Sequence, residues 1–546
     1  MSRPETPRPP IPAALGLYSP PMNSPTPRTR PAIVGLEALT SNGTPNGTLR
    51  VGPADAVPGE IAGRVWRVAA VIPCFNRRKD LEILLRDVAK QDLRGIDLWC
   101  VVVDNASTEP LSTIAVPEGL RVDFVRSEKN TGGSGGFNLG MTHVLSGAGL
   151  TGELGQPDFL WWLDSDARAA KRCLREMVKI LARRSRLGAV GSSLGDLTTG
   201  HRWETGANIV RKTGFILPAG TGDPDRRFPI PCDYLAACSA LVRRTAIEKT
   251  GLFPENFIYY DDIDWCIQMR KKTGLKVVGA PRSRAYHPPG DRRFVTWGRY
   301  YIARNCFGHI DVMGMGGWIR FKRALREVPR AVAQAMMGLD ELAALHMRGL
   351  RDALDKKFPS IEPRDLVKVQ FVPFAKLAET VNAELDAVGG ARRLYVHPLL
   401  GNRIAGLEKF RDQLKTIEFQ WPADKKDWRF RAPGTRAYRD AFFAGWRLFA
   451  GPTADVAVVP SGWFTSWHRG RSMIMVTSEG LLVRRPPRWP TFFKSVGLFF
   501  RGIALSAKIG LRGPHTMTLP PAPAWRPAKR AASAVEASPA GAAMAR

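Results

Sequence analysis

Asp158-Phe159-Leu160-Trp161-Trp162-Leu163-Asp164-Ser165-Asp166-Ala167-Arg168 is the stretch on which the fold turns. An uninterrupted apolar run stops at two carboxylates separated by one serine. A short run without alternation reads as a strand covered on both faces, as inside an open α/β sheet. The carboxyl end of such a strand opens onto the crevice where ligands bind, so Asp164 and Asp166 face a ligand. Two hard oxygen donors, short of a full cage, suit a divalent cation that completes its shell with substrate phosphates and water. That is the composition of a nucleotide-sugar site. Acidic pairs also stand at ordinary loop entries, so the flanking sequence has to decide between the two.

Upstream, Val68-Ala69-Ala70-Val71-Ile72 reads as a buried strand and Pro73-Cys74-Phe75-Asn76-Arg77 as its exit loop. Leu81, Leu84, Leu85 and Val88 follow at helical spacing, and Leu98-Trp99-Cys100-Val101-Val102-Val103 is a second strand ending at Asp104-Asn105-Ala106-Ser107. This β-α-β order implies a parallel, right-handed unit with Asn76 and Asp104 at one edge. A third strand, Val122 to Val125, leads to Asn130-Thr131-Gly132-Gly133-Ser134-Gly135-Gly136 and a helix with Phe137, Met141, Val144 and Leu145 inward. Glycines opening a helix can present N–H groups to a phosphate or sugar; a tight strand-to-helix turn uses the same residues.

Downstream lie a helix carrying Leu174, Met177, Val178 and Leu181, a strand near Gly188 to Ser192, and a short helix ending at Gly251. Tyr259-Tyr260-Asp261-Asp262-Ile263-Asp264-Trp265 then places three carboxylates within four residues. The helix dipole accounts for one or two acids at a helix start. Three beside aromatics crowd one another, which raises a carboxyl pKa towards that of a useful base. The strand Lys276 to Ala280 precedes His287, whose imidazole can complete a metal shell begun by two aspartates.

The 546 residues and 44% hydrophobic content predict two folded domains plus tails. A formal charge of +30 predicts attraction to a polyanion: nucleic acid, a nucleotide or an anionic membrane. Seven scattered cysteines with no CxxC pair read as reduced core residues of a cytosolic protein. No apolar stretch has the length of a membrane span and no apolar signal core is visible, so a cytoplasmic enzyme is expected. The domain reading is a disordered Pro-rich tail at 1–30, a short β-rich segment at 31–65, a catalytic domain at 66–310, a mainly helical accessory domain at 311–512 and a disordered basic tail at 513–546. Val332, Met336, Leu339, Ala343 and Leu350 mark the accessory helices, and Trp463 to Val483 looks strand-like. Phe492 to Lys508 mixes aromatics with spaced cations. It reads either as a helix lying on a membrane surface or as a core helix with exposed Arg501 and Lys508.

Taken together, Cys74-Phe75-Asn76-Arg77, Asp104-Asn105, Asn130 to Gly136, Asp164-Ser165-Asp166, Asp261 to Trp265 and His287 resemble the inverting family 2 glycosyltransferases of GT-A fold, a Rossmann-like α/β architecture. Within that family the sequence looks most similar to bacterial galactofuranosyltransferases. The resemblance implies that Asp164, Asp166 and His287 hold Mn2+ or Mg2+ against a nucleotide-sugar diphosphate and that Asp262 is the catalytic base. Pro73, Asn76, Asp104, Asn130, Gly132 and Gly133 would border the donor; Asp261, Asp264 and Trp265 would serve the acceptor. It further implies UDP-galactofuranose as donor, a glycan or lipid-linked acceptor of envelope polysaccharide, peripheral attachment to the inner face of the membrane, and possible homo-oligomers. Two departures stand out: Ser165 replaces the family's middle acid, and the family's N-terminal β domain is shortened to residues 31–65. The rival readings are a rhamnosyltransferase or other family 2 transferase, and a basic nucleic-acid-binding protein. The second is disfavoured because the distinctive loops are acidic or glycine-rich and no nucleic-acid module is present.

Overall fold

The structure, a computed structural model, describes residues 61, 63–197, 200–220, 226–287, 295–389, 393–396, 400, 418–420, 446, 449–452, 454–460 and 470–525. The sequence-based expectations for residues 1–30, for nearly all of 31–65 and for Trp463 to 469 fall outside that set.

Strands β1 (Trp66–Cys74), β2 (Ile96–Asp104), β3 (Val122–Arg126) and β4 (Phe159–Leu163) run parallel in the order β3-β2-β1-β4. Their residues are apolar on both faces because helices cover both. Val68, Ala70, Ile72, Phe159, Trp161 and Leu163 pack with α1 (Arg78–Ala89), while Ala69, Val71, Leu160 and Trp162 pack with α2 (Gly132–Ser146). Short α3 (Leu150–Leu154) precedes β4. After β4 come β5 (Arg168–Ala169), α4 (Cys173–Ala182), which joins α1 on its face, and β6 (Leu187–Asp196). The strand order reverses between β1 and β4, which opens the crevice at their carboxyl ends.

Strands β7 (Arg202–Glu204), β8 (Ala207–Val210), β9 (Phe215–Pro218) and β10 (Ile230–Cys232) lie in the less regular stretch. Strand β11 (Ser239–Arg243) inserts antiparallel between β4 and β6, and β12 (Lys276–His287) adds parallel to β6. Helices α5 (Arg244–Thr250) and α6 (Asp261–Thr273) separate them. The sheet order is β10-β12-β6-β11-β4-β1-β2-β3, with β5 paired to β12 and β7 to β6.

Beyond it, α7 (Gly298–Asn305), α8 (Gly308–Val312), α9 (Gly317–Leu325), α10 (Glu327–Met336) and α11 (Asp340–Leu354) form the helical region. Val332, Met336, Leu339, Ala343 and Leu350 are all buried there. This region also carries a second sheet, β14-β13-β15-β16-β17, built from β13 (Arg393–Val396), β14 (Glu418–Gln420), β15 (Ala454–Pro460), β16 (Gly470–Val476) and β17 (Leu481–Arg484). It is parallel up to the antiparallel β17. A long helix, Arg488–Leu511, closes the chain's regular structure.

One expectation is corrected here. Residues 513–525, read as part of a disordered tail, return to the catalytic domain: Pro520 O accepts from Leu252 N at 2.7 Å and Met517 O accepts from Gln268 Nε2 at 3.1 Å. Leu519 and Met517 are buried. An extended strap needs only a few apolar anchors, which a composition dominated by Pro and Ala conceals.

Candidate active site

Asp164 and Asp166 leave the carboxyl end of β4 in a tight turn, closed by Ala167 N donating to Asp164 O at 3.0 Å. The turn delivers Arg168–Ala169, which pairs antiparallel with Ala285 and Tyr286 of β12. That pairing, with the β6 pairing on the other side of β12 that runs to His287 itself, brings His287 to the acids. Its Nε2 lies 3.1 Å from Asp166 Oδ1 and 3.6 Å from Asp164 Oδ2. One ligand atom from each of Asp164, Asp166 and His287 lies within 4.8 Å of the others.

Adjacent corners of an octahedral shell with bonds of about 2.1 Å are about 3 Å apart, so this spacing fits a divalent cation. Two carboxylates and one imidazole suit Mn2+ or Mg2+. Burial alone pushes the Asp166 carboxyl up, but the His287 hydrogen bond and charge, with Arg77, more than offset it and hold it at about 2. Burial pushes the His287 imidazole down, and hydrogen bonds to Asp164 and Asp166 reverse this, raising it to about 10. The cluster thus stabilises positive charge at its centre, the property a cation site requires.

Asp262 is half-buried in the first turn of α6. Its Oδ2 accepts from Ala237 N at 3.2 Å, while the next carbonyl, Cys238 O, accepts from Asp164 N at 3.2 Å. Consecutive residues therefore hold the proposed base and the metal-side turn, which places both in one cleft. The loop entering α6 is bent sharply, with positive φ at Phe257 (73°), Tyr259 (66°) and Tyr260 (70°). Each such residue costs about 1–3 kcal/mol, and strain of this kind collects at functional sites. Partners outside the loop enforce it. Asn305 Nδ2 donates to Ile258 O at 2.8 Å, Arg304 Nη2 to Asn256 O at 2.7 Å, and Tyr260 stacks on His309.

The three acids of α6 separate by helical angle. Burial, reinforced by the charge on Asp262, pushes the Asp261 carboxyl well up. Asp264 is raised by burial and by the charges of Asp261 and Asp262. It presses on Gly308, where a Cβ would lie 1.8 Å from its Oδ2. Trp265 is fully buried, donates Nε1–H to Gly251 O at 2.8 Å and packs edge-on to Trp162. Asp264 and Trp265 are therefore core residues, which corrects their assignment to the acceptor. Two or three positions past Asp262 a helical side chain points away from the cleft, Asp264 towards α8 and Trp265 towards the sheet.

On the donor side, Pro73 and Gly133 are partly exposed. Asn76 is exposed, its Oδ1 accepting from Thr108 N at 2.8 Å. Asp104 is buried and its carboxylate accepts from Ser107 N, Leu111 N and Arg126, so it shapes the loop after β2 instead of facing a ligand. Asn130 Oδ1 is held by Asn105 Nδ2 and Gly132 N. The glycines form the first turn of α2, not a separate loop. A Cβ on Gly132 would lie 2.2 Å from Phe257 O and one on Gly136 2.7 Å from Pro73 Cβ. Close approach to β1 and to the loop before α6 thus explains those two positions.

Sequence reasoning quoted Arg77 but gave it no place in the site, although its Nη1 lies 2.9 Å from Asp166 Oδ2. The signal was available: β1 and β4 are neighbours, so a cation just past β1 must lie near acids just past β4. Ala237 and Cys238 carry no such signal, since they act through backbone groups.

Residues 69–251 match the family described as Glycosyl transferase family 2. This chain carries a family 2 glycosyltransferase domain. The matched span includes Asp164 and Asp166 and stops short of Asp262 and His287. The chain is similar to the galactofuranosyltransferase GlfT1 of Mycolicibacterium smegmatis, with 34% identity over 103 residues, 19% of this chain and 31% of that protein. The match thus spans about a third of that relative's length. Among solved structures, mannosyltransferase PcManGT from Pyrobaculum calidifontis, in complex with GDP-Man and Mn2+, is 17% identical, with 56% of this chain and 79% of that chain covered at a TM-score of 0.35. TarS 1-349 of S. aureus is 14% identical over 59% of this chain and 80% of its own at a TM-score of 0.31. The fold of the family 2 domain is Rossmann-like, a mixed sheet with helices on both faces.

Proposed function

We propose that the protein is a metal-dependent, inverting glycosyltransferase that moves galactofuranose from UDP-galactofuranose to a hydroxyl of a glycan or lipid-linked acceptor in cell-envelope polysaccharide synthesis. The observation that carries this reading is the meeting of Asp164, Asp166 and His287 within 4.8 Å, joined to Asp262 through Ala237 and Cys238. The galactofuranosyltransferase relative supports the choice of sugar.

Asp164, Asp166 and His287 would hold Mn2+ or Mg2+, which when bound supplies Lewis-acid stabilisation of the departing diphosphate. Arg77, beside Asp166, adds positive charge on the same side. Asp262 accepts the proton of the attacking hydroxyl, and the Ala237 amide fixes the carboxylate for that task. Asp261 is buried and pushed towards its neutral form, so it offers no second nucleophile. One base without a carboxylate nucleophile gives a single displacement with inversion at the anomeric carbon.

The test is a panel of nucleotide sugars with Mn2+ present, read as nucleotide diphosphate release and product stereochemistry. Consumption of UDP-galactofuranose with inversion is expected; consumption of only a rhamnosyl donor would move the enzyme to the rhamnosyltransferases. Asp262→Asn should leave nucleotide affinity within about twofold and lower turnover by about 10²–10⁴. Activity insensitive to chelation would remove the role given to Asp164, Asp166 and His287.

A further inference from the structure

The helix Arg488–Leu511 carries large apolar residues on its solvent side as well as on its packed side. The most buried positions of its inward face are mainly small or polar, Thr491, Ser495, Gly502 and Ser506, with Ile509 the one large apolar residue among them. The glycines let it lie close to α9 and α10, since a Cβ on Gly502 would meet Val328 Cγ1 at 2.6 Å and one on Gly510 would meet Phe321 Cβ at 2.9 Å. Ser495 and Ser506 satisfy their hydroxyls on the carbonyls of Thr491 and Gly502, so the seam needs no water.

Phe492, Leu498 and Leu505 pack against the neighbouring helices, but a second set of bulky apolar residues points outward. Phe493 is 68% exposed, Phe500 64% and Leu511 88%, at spacings of seven and eleven residues that keep them on one stripe. Gly497 and Ala504 continue the stripe between them. Trp489 at one end is 53% exposed, and Trp318 of α9, stacked on Phe321 beside Gly510, is 66% exposed at the other. From Trp489 to Leu511 the stripe runs about 33 Å at 1.5 Å per residue. Soluble surface helices carry polar residues on that face, and scattered exposed apolar residues do not align in this way.

Charge says what covers it. The helix holds Arg488, Lys494, Arg501 and Lys508 and no carboxylate. Arg501 and Lys508 lie exposed along one flank of the stripe, and Lys322 sits 5.5 Å over the Trp318 ring. No described helix is long and apolar enough to cross a membrane. An apolar stripe in the plane of the surface, edged by cations and ended by tryptophans, is built for the boundary between headgroups and acyl chains.

We infer that the outward face of Arg488–Leu511, with Trp318, is a docking surface for an anionic lipid bilayer. The aromatic side chains enter the acyl boundary while Arg501 and Lys508 meet lipid phosphates. The strap 513–525 connects this helix to α6, the helix carrying Asp262, through the Met517 bond to Gln268, so docking orients the catalytic domain over the membrane.

The experiment is co-sedimentation of the full chain with vesicles of phosphatidylcholine alone or with about 30% phosphatidylglycerol. The wild type should bind both, and the anionic vesicles more tightly. Phe493→Ser combined with Phe500→Ser should lower binding to both by about tenfold or more. Arg501→Gln combined with Lys508→Gln should lower it about 25-fold on anionic vesicles, about fivefold per cation, and leave binding to neutral vesicles unchanged. Unaltered melting temperatures would exclude misfolding, and quenching of wild-type tryptophan fluorescence by brominated lipid gives a readout that needs no variant. A wild type that stays in the supernatant, or a Phe493→Ser/Phe500→Ser protein that binds as well as the wild type, overturns the proposal. So does a dimer that those two substitutions split without any vesicle binding, which would make the face a self-association surface.

Discussion

Glu327→Gln tests the framework that holds the loop entering α6. Glu327 is completely buried, and its Oε1 accepts from Arg323 Nη1 and Arg330 Nη1, both at 2.6 Å, while Oε2 pairs with His346 Nδ1 at 3.0 Å. Arg323 and His346 are buried as well. Arg323 also donates to the Tyr260 hydroxyl at 3.3 Å, just ahead of Asp261 and Asp262. Burial pushes the Glu327 carboxyl up, and the charges of Arg330 and Arg323 with the His346 hydrogen bond outweigh it, holding it well below its usual range. A glutamine keeps the shape and removes the charge, leaving Arg323 uncompensated in the interior. Breaking a buried pair in this way costs about 3–5 kcal/mol; the part from Arg330, a third exposed, is the smallest because solvent screens it.

With a urea slope of about 2–3 kcal/mol per molar, the denaturation midpoint should fall by about 1–2.5 M at pH 7. The sign with pH follows from the depressed carboxyl: its stabilisation is complete above the ordinary value of 4.5 and is lost as pH falls below it. The gap between wild type and Glu327→Gln should therefore narrow in acid. A midpoint shift under about 0.3 M at pH 7, or a gap that widens as pH falls, would refute this account. Replacing Glu327 and Arg323 together by leucine should recover part of the loss, because apolar residues of similar volume need no charge compensation.

Three other outcomes follow from the geometry. In Asp264→Asn the melting temperature relative to wild type should rise between pH 5 and pH 8: a carboxyl raised by burial costs stability progressively as pH climbs above 3.8, and the amide does not. Gly132→Ala, at φ +73° and with its Cβ 2.2 Å from Phe257 O, should lose more than about 2 kcal/mol in urea denaturation and also lower turnover, since Phe257 leads into the Asp262 loop. His287→Ala should weaken Mn2+ binding at least about tenfold by calorimetry while leaving the fold intact, because the side chain ends a strand whose pairing is made by backbone groups.

The apolar run Phe159 to Leu163, the β-α-β spacing and the placement of acids just past strand ends follow from local pattern, which is why the sheet, its covering helices and the sides of the cleft could be read without coordinates. Asp164 and Asp166 are two residues apart, so their proximity is guaranteed by the chain itself. Which acid of Asp261, Asp262 and Asp264 faces the cleft is a different matter. It depends on the angle at which α6 meets the sheet, and that angle is imposed by Asn305, Arg304 and His309, far along the chain. Likewise His287 reaches the acids because β12 pairs with Arg168–Ala169 on one side and with β6 on the other, and residues 513–525 are held by the surface that the catalytic domain offers them. Periodicity records what a residue's own neighbours need. Contacts between distant segments are settled by packing, and here packing selects Asp262 and turns the aromatic stripe of the last helix outward.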